Sequence, residues 1–161
     1  MSRLAILVAC ACIAPLAACG EPPPPSPEQE AVFAQEVDVE LIVPAVRNAM
    51  SFTVDRVEAP EGATVRLVMD NTETSSPAMI HNVVIVETEE DLRPIAEEAA
   101  RVRDNIPDSP AILAYTPLAG PGQKTAVVFT MPPAGEYPFV CTYPGHWERM
   151  QGVLVSTPAG A

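Results

Sequence analysis

Basic residues and histidines are scarce in this chain of 161 residues. Nine Lys and Arg stand against 21 Asp and Glu, which gives a formal net charge of −12. A protein that binds nucleic acid needs a basic face, so this balance argues against DNA or RNA as a partner. The two histidines, His81 and His146, are too few for a self-contained centre with several histidine-rich metal sites.

Cysteine is also sparse, and three of the four cysteines lie within the first 19 residues. A basic start at Arg3 precedes an apolar run from Leu4 to Ala18, which is short for a membrane span and typical of a secretory signal. The run ends in Leu16-Ala17-Ala18-Cys19, which resembles the bacterial lipobox, in which the cysteine is lipidated and becomes the first mature residue. We therefore expect residues 1–18 to be a lipoprotein signal peptide and Cys19 to carry the lipid. An ordinary signal peptide cleaved nearby is the alternative.

The segment that follows Cys19 is rich in proline. Four successive prolines, Pro22 to Pro25, favour an extended polyproline II conformation, which rises about 3.1 Å per residue and acts as a semi-rigid spacer. We expect residues 19–35 to form a lipidated N-terminus and linker, and residues 36–157 to form one folded domain. A disordered leader without a spacing role is the alternative.

The pattern of apolar residues in the folded part predicts an all-β protein. Val37, Val39, Leu41 and Val43 alternate with other residues, which is typical of a half-buried strand. Further short strands are expected over 52–57, 64–69, 83–86, 126–129, 137–140 and 153–155. Short strands separated by Pro and Gly indicate a sandwich or a barrel.

One stretch, residues 88–105, has helical rather than strand periodicity. Because proline is tolerated only in the first turn of a helix, Pro94 predicts that the regular helix begins near residues 92–94. We expect this helix to be an excursion between two strands.

The residues that can carry chemistry lie mainly near the C-terminus. Cys141, His146 and Met150 have the spacing Cys-x4-His-x3-Met, and His81 is the remaining histidine. Two imidazoles and a thiolate with a weak axial thioether are the donor set of a blue copper site. A strand that ends at Cys141 can turn through Pro144-Gly145 and present His146 to the same metal ion.

Each of these residues by itself also has a structural interpretation. A lone buried cysteine usually behaves as a small hydrophobic residue, and a single methionine usually serves packing. Together, however, both histidines and the one cysteine outside the first 19 residues fall into a single ligand pattern. Zinc competes for cysteine and histidine, but methionine is a poor zinc ligand, so the set favours copper.

The ligand pattern and its surroundings resemble a known family. The loop Cys141-Thr142-Tyr143-Pro144-Gly145-His146 through Met150, the pair His81-Asn82 and the stretch Leu113–Gly122 are similar to those of the azurin and auracyanin branch of the cupredoxins. The resemblance covers roughly residues 36–156. It implies an eight-stranded Greek-key β-sandwich with one short helical flap.

The same resemblance implies roles for individual residues. His81, Cys141 and His146 would be strong ligands of one type 1 copper ion, and Met150 would be the axial ligand. Asn82 would tie the His81 strand to the ligand loop at Thr142. The sequence departs from azurins at two places. Ile80 stands before the first histidine, where azurins have glycine. Trp147, Glu148 and Arg149 replace residues that are small or apolar in azurins.

The function expected from this site is electron transport by a membrane-tethered protein. Four donors saturate the metal and leave no open position for a substrate, unlike a catalytic metal site. A periplasmic copper buffer or delivery protein is the alternative, although the exposed Met/His clusters typical of such proteins are missing from the sequence. A copper enzyme would need more histidines than the two present, and a metal-free adhesion domain would not need this ligand set.

The expected partners are redox proteins such as c-type cytochromes or membrane electron-transfer complexes. We expect an exported monomer, held by its lipid on the periplasmic or cell-surface side of a membrane. An apolar docking surface beside the metal is expected from Leu118, Ala119, Pro144 and Gly145, with Trp147 either in this surface or in the core. Small interfaces of this kind suit brief electron-transfer encounters.

Overall fold

Eight strands form two sheets in the computed structural model, which describes residues 23–160. The predicted signal peptide and Cys19 lie outside the described residues. The first sheet has the order β1-β3-β6, with β1 at Val39–Pro44, β3 at Thr64–Asp70 and β6 at Lys124–Thr130. The second has the order β2-β8-β7-β4-β5, with β2 at Arg56–Pro60, β8 at Gln151–Thr157, β7 at Gly135–Val140, β4 at Val84–Val86 and β5 at Ile112–Tyr115.

The main core lies between the two sheets. On β3, Val65, Leu67 and Met69 are buried at every second position and pack with Phe139 and Leu154 of the second sheet. Strand alternation thus places one face of each sheet inward. The predicted Greek-key sandwich with a helical flap is confirmed, and β5 is a strand that the sequence pattern did not predict.

The helical flap explains why β4 is apolar on both faces. Helix α2, Glu89–Ala99, lays Leu92 and Ile95 against Val84 and Val86, while Ile85 faces the main core. A strand that is covered on both faces has an uninterrupted run of apolar residues in its sequence, as this strand has. The flap therefore fixes the strand that follows His81.

Helix α2 begins earlier than the sequence predicted. It starts at Glu89 rather than near 92–94, because the Asp91 carboxylate accepts hydrogen bonds from the backbone N–H and the hydroxyl of Thr88 at 3.1 and 2.7 Å. Such a cap stabilises a helix N-terminus by about 1 kcal/mol. Pro94 is consequently inside the helix, where it is exposed to solvent.

A second helix occupies part of the segment expected to be a spacer. Helix α1, Pro27–Ala34, packs on β6, and the Gln29 side chain is buried. The proline-rich segment is therefore shorter than predicted. Between residues 23 and 160 no helix is long and apolar enough to cross a membrane.

Candidate metal centre

All four predicted ligands lie beside neighbouring strands of the second sheet or in the loop between two of them. His81 precedes β4, Cys141 follows β7, and His146 and Met150 lie in the loop that leads to β8. Val84 of β4 pairs with Val140 of β7, which brings the start of one strand next to the end of the other. The antiparallel pairing therefore places His81 beside Cys141.

The loop from Cys141 to Met150 closes on itself through backbone hydrogen bonds. The Cys141 N–H donates to the Met150 carbonyl at 2.9 Å, and the Met150 N–H donates to the His146 carbonyl at 3.1 Å. Gly145 has φ of 84°, a left-handed conformation that glycine adopts without a steric penalty. These contacts turn the chain so that His146 points back towards Cys141.

The side chains of His81, Cys141 and His146 converge on one point. The Cys141 sulfur lies 3.9 Å from Nδ1 of His81 and 3.8 Å from Nδ1 of His146, and the two Nδ1 atoms are 3.2 Å apart. In the plane of these atoms, a point about 2.0–2.1 Å from both nitrogens is about 2.2 Å from the sulfur, close to the bond lengths of first-row metal ions in proteins. The triangle therefore fits a single metal ion.

Burial sets the protonation of these groups in the metal-free protein. It lowers the pKa of His81 to about 4, with a further contribution from the charge of His146, and it also lowers the pKa of His146. Burial raises the pKa of the Cys141 thiol to about 11. Two neutral imidazoles thus present free lone pairs at neutral pH, and a bound metal ion would displace the thiol proton.

Backbone N–H groups of Asn82 and Tyr143 point at the Cys141 sulfur and oppose part of the rise in its pKa. Hydrogen bonds of this kind favour a charged thiolate over a neutral thiol. These two groups would stabilise the anionic sulfur that a metal ion requires. The contribution from Tyr143 could not be predicted from sequence, since any residue type except proline supplies a backbone N–H.

Asn82 and Thr142 contact each other directly behind the site. Their side chains and backbone form two hydrogen bonds of 2.8 Å, and both residues are buried. The Thr142 hydroxyl also donates to the Asn105 carbonyl at 2.6 Å, which connects the ligand loop to the end of the helical flap. Sequence reasoning singled out the first contact and missed Asn105.

Met150 has no exposed surface and belongs to the same apolar cluster as Cys141. Its backbone is fixed on both sides by the hydrogen bonds to Cys141 and His146 described above. Its burial with Cys141 and its backbone hydrogen bonds to two of the other predicted ligands are compatible with the axial role that the sequence predicts.

Another residue that sequence reasoning missed is Asn71. It is fully buried, and its Nδ2 donates to the carbonyls of Met79 and Ala119, both at 2.9 Å. Ala119 in turn pairs with His81 in an isolated antiparallel bridge. Asn71 thereby connects the segment that leads to His81 with the segment that pairs with it. In the sequence, an asparagine directly after a strand was the only signal.

The predicted docking residues divide into exposed and buried positions. Pro144 and Gly145, which directly precede His146, are exposed, and Leu118, next to the residue that pairs with His81, is half-buried; His146 itself is 4% exposed. Ala119 was wrongly assigned to this surface: it is 0% exposed because its backbone pairs with His81. Trp147 is half-buried and packs on the cluster beneath the helical flap.

Two imidazoles and a thiol that meet at one end of a β-sandwich define a protein with a mononuclear metal site. The chain belongs to the plastocyanin/azurin family of copper-binding proteins, whose family model matches residues 39–156. More narrowly, it is a cupredoxin of the azurin and auracyanin branch.

Individual relatives support the same placement. Auracyanin-B of Chloroflexus aurantiacus is 31% identical over 131 residues, which cover 78% of this chain and 53% of that protein. The chain thus spans about half the length of this relative. The solved structure of auracyanin B aligns with a TM-score of 0.69 at 29% identity, over 79% of this chain and 94% of that one.

A second solved structure, dithionite-reduced auracyanin from Roseiflexus castenholzii, aligns with a TM-score of 0.66 at 30% identity. The alignment covers 74% of this chain and 97% of that one. The family and the donor set agree on the cofactor, which is one type 1 copper ion.

Proposed function

We propose that this protein is a membrane-tethered carrier of single electrons, in which His81, Cys141 and His146 hold the copper ion and Met150 is its axial ligand. The observation that supports this most directly is the buried triangle formed by two Nδ1 atoms and one sulfur. The copper ion supplies a one-electron couple between Cu(I) and Cu(II).

The surroundings of the site suit electron transfer better than catalysis. The three donor residues are buried, and Asn82, Thr142 and the closed loop hold them in place. A rigid set of donors limits the rearrangement that accompanies a change of charge. A buried ligand set also leaves no room for a substrate, whereas a catalytic metal site keeps an open position.

The ligand set can be tested by colour. Addition of Cu(II) to the purified domain should give an intense blue charge-transfer band that a reductant bleaches, because the Cys141 sulfur would bind the metal directly. Cys141→Ser should lose the band while His81 and His146 retain some copper. A colourless copper complex of the wild-type protein would show that the site is not of the blue type.

The tether is the second part of the proposal. The lipobox-like sequence that ends at Cys19 supports diacylation of this cysteine, and more than one acyl chain is needed for stable anchoring. We expect the wild-type protein in the membrane fraction and Cys19→Ser either released or retained as the precursor. Wild-type protein that is wholly soluble with an unmodified Cys19 would refute the anchor.

Exchange with a partner would take place at the surface formed by Leu118, Pro144 and Gly145. This location is supported by the position of Pro144 and Gly145 directly before His146 and by the bridge between Ala119, the neighbour of Leu118, and His81. A c-type cytochrome or a membrane complex docked there would reach the copper through one imidazole. Leu118→Asp should slow both self-exchange and transfer to a partner. Ile42→Asp is the matched control, since Ile42 is an exposed apolar residue on the other sheet.

A copper buffer or delivery protein would behave differently. It should release copper readily to a competing chelator, whereas a buried site held by the closed loop should release it slowly. Rapid loss of copper together with slow electron self-exchange would favour delivery over electron transport.

A further inference from the structure

Helix α1 determines at which end of the sandwich the N-terminal segment lies. The end of the sandwich next to the ligands, here called the copper end, is where β1 and β3 finish and β6 begins. The opposite end, here called the far end, is where β1 begins at Val39. Because α1 lies along β6, the chain reaches the far end only after it has run the length of the sheet.

Two sets of contacts establish this direction. At the start of α1, Gln29 exchanges two hydrogen bonds with the backbone of Ala126, near the beginning of β6. At its end, the Arg66 side chain donates to the carbonyls of Val32 and Gln35. The helix therefore starts near the copper end and finishes towards the far end.

The residues before α1 lie at the copper end itself. Pro23, Pro24 and Pro25 line one cavity together with Leu118 and Thr72. Leu118 adjoins Ala119, which pairs with His81, and Thr72 lies two residues after the end of β3. The described chain thus begins next to the docking surface.

The docking of α1 is built into the domain. The Gln29 amide pairs with the outer edge of β6 in the way that a neighbouring strand would, at 3.2 and 2.7 Å. Gln29 and Arg66 are both buried, and Arg66 also forms an ion pair of 2.7 Å with Glu40. An isolated helix of eight residues is unstable in water, so these contacts are what maintain it.

Charge does not distinguish the two ends, because acidic residues outnumber basic ones at both. The loops at the copper end carry Asp55, Glu73, Asp104 and Glu148 against Arg47, Arg103 and Arg149, and exposed Glu28 and Glu30 lie at the start of α1. The far end carries Glu36, Asp38, Glu61 and Glu136. The orientation therefore depends on the direction in which α1 runs.

We propose that α1 orients the tethered protein with its copper end towards the bilayer and its far end towards solvent. The proposal rests on the anchor at Cys19 put forward above. Four residue steps separate Cys19 from Pro23, and they can extend at most about 14 Å. The redox group of the partner must then lie close to the bilayer surface, as in a membrane-embedded complex.

The alternative geometry is the one that a fully extended linker would produce. If residues 19–38 were unstructured, the tether would attach at the far end and could reach about 65 Å. The copper would then face away from the membrane and towards soluble partners. Electron paramagnetic resonance can distinguish these arrangements. A paramagnetic label on the bilayer surface speeds the spin relaxation of Cu(II) only when the copper lies close to that surface.

For the test, copper-loaded protein that begins at Cys19 is coupled through this thiol to a maleimide lipid. The vesicles are phosphatidylcholine with a small fraction of a lipid that carries a Gd³⁺ chelate as its headgroup. The comparison is Cys19→Ser combined with Ala134→Cys, which attaches the same lipid at an exposed far-end turn. We expect strong enhancement of Cu(II) spin relaxation for the Cys19 anchor and loss of most of it for the Ala134→Cys anchor.

A second variant tests the short tether. Insertion of about 15 Gly/Ser residues between Glu21 and Pro22 adds a flexible segment of about 20 Å, which should also remove most of the enhancement. Equal enhancement for all three proteins, or the strongest enhancement for the Ala134→Cys anchor, would overturn the proposed orientation. The coupling is chemical, so a cellular protein with an unmodified Cys19 would refute the natural anchor without affecting this comparison.

Discussion

Asn82 and Thr142 are joined by two hydrogen bonds of 2.8 Å that run in opposite directions. The Asn82 side-chain Nδ2 donates to the Thr142 hydroxyl, and the Thr142 backbone N–H donates to the side-chain Oδ1 of Asn82. Each residue directly follows a proposed ligand, His81 or Cys141. The pair therefore sets the separation of a nitrogen and a sulfur donor without contacting the metal ion.

Replacement of Asn82 by alanine should loosen this connection. It leaves the buried Thr142 N–H without its acceptor, which we expect to lower the free energy of unfolding by about 1–3 kcal/mol. The blue band of the copper protein should shift and its EPR hyperfine splitting should change. Urea unfolding and the two spectra measure these effects.

Asn48→Ala is the matched control for this prediction. Asn48 also connects two loops, through Ser75 and Ser76, but it is exposed. Because Asn48 has φ of 53°, a conformation that strains alanine, its replacement also lowers stability, but both spectra should stay unaltered. Identical spectra for Asn82→Ala and wild type would mean that the connection does not position the ligands.

Met150→Leu should keep the blue colour and raise the reduction potential. A thioether donates weakly and stabilises Cu(II) more than Cu(I), so its loss favours the reduced state. Leucine has a similar volume, so the cost in stability should stay below about 1.5 kcal/mol. A tenfold change in the relative affinity for the two oxidation states is about 59 mV for one electron, and we expect a shift of this order.

The control for the axial residue is Met131→Leu. Met131 is also buried in the main core but follows β6 at the opposite end of the sandwich. Its replacement should leave the potential unchanged in cyclic voltammetry. Equal potentials for Met150→Leu and wild type would assign Met150 to packing alone.

The metal-free protein should lose stability in acid before its carboxylates titrate. Burial lowers the pKa of His81 to about 4 and also lowers that of His146, whereas an unfolded histidine titrates near 6.5. Between these values the unfolded chain binds more protons than the folded one, so stability falls as the pH falls. His81 contributes about 3 kcal/mol that is present above pH 6.5 and lost by pH 4.

Urea unfolding of the metal-free protein between pH 7.5 and pH 4.5 measures this loss. The double variant His81→Gln, His146→Gln should show a nearly flat profile over the upper part of the range. Copper-loaded protein should retain its stability to lower pH, because ligation keeps both Nδ1 atoms unprotonated. A wild-type metal-free protein with equal stability at pH 7 and pH 5 would contradict the prediction.

The donor set could be predicted from sequence because its chemistry restricts the residue types. Few proteins need a cysteine, two histidines and a methionine with this spacing. The pair Pro144-Gly145 predicts the turn that brings the ligands of the loop together. The alternation of Val65, Leu67 and Met69 likewise predicts a strand with one buried face, and the structure places all three in the core.

Other features depend on tertiary contacts that a local pattern does not contain. Helix α1 exists because Gln29 and Arg66 hold it on the first sheet, although the segment before it is proline-rich. Ala119 is apolar and adjacent to Leu118, yet its bridge to His81 places it inside rather than on the surface. In each case long-range hydrogen bonds determine the outcome.

The burial of the two histidines suggests a last test of the route to the copper. His146 retains a small exposed area beneath Pro144 and Gly145, whereas His81 has none. His146→Gly should therefore open a position at the surface that added imidazole can enter, restoring the blue band in a titration followed by visible absorption. Self-exchange should be slow without imidazole, because the ring that conducts electrons to the surface is missing.

Cys141→Ser is the control, since imidazole cannot replace a thiolate and the band should stay absent. A blue band that persists in His146→Gly without imidazole would place His146 outside the ligand set.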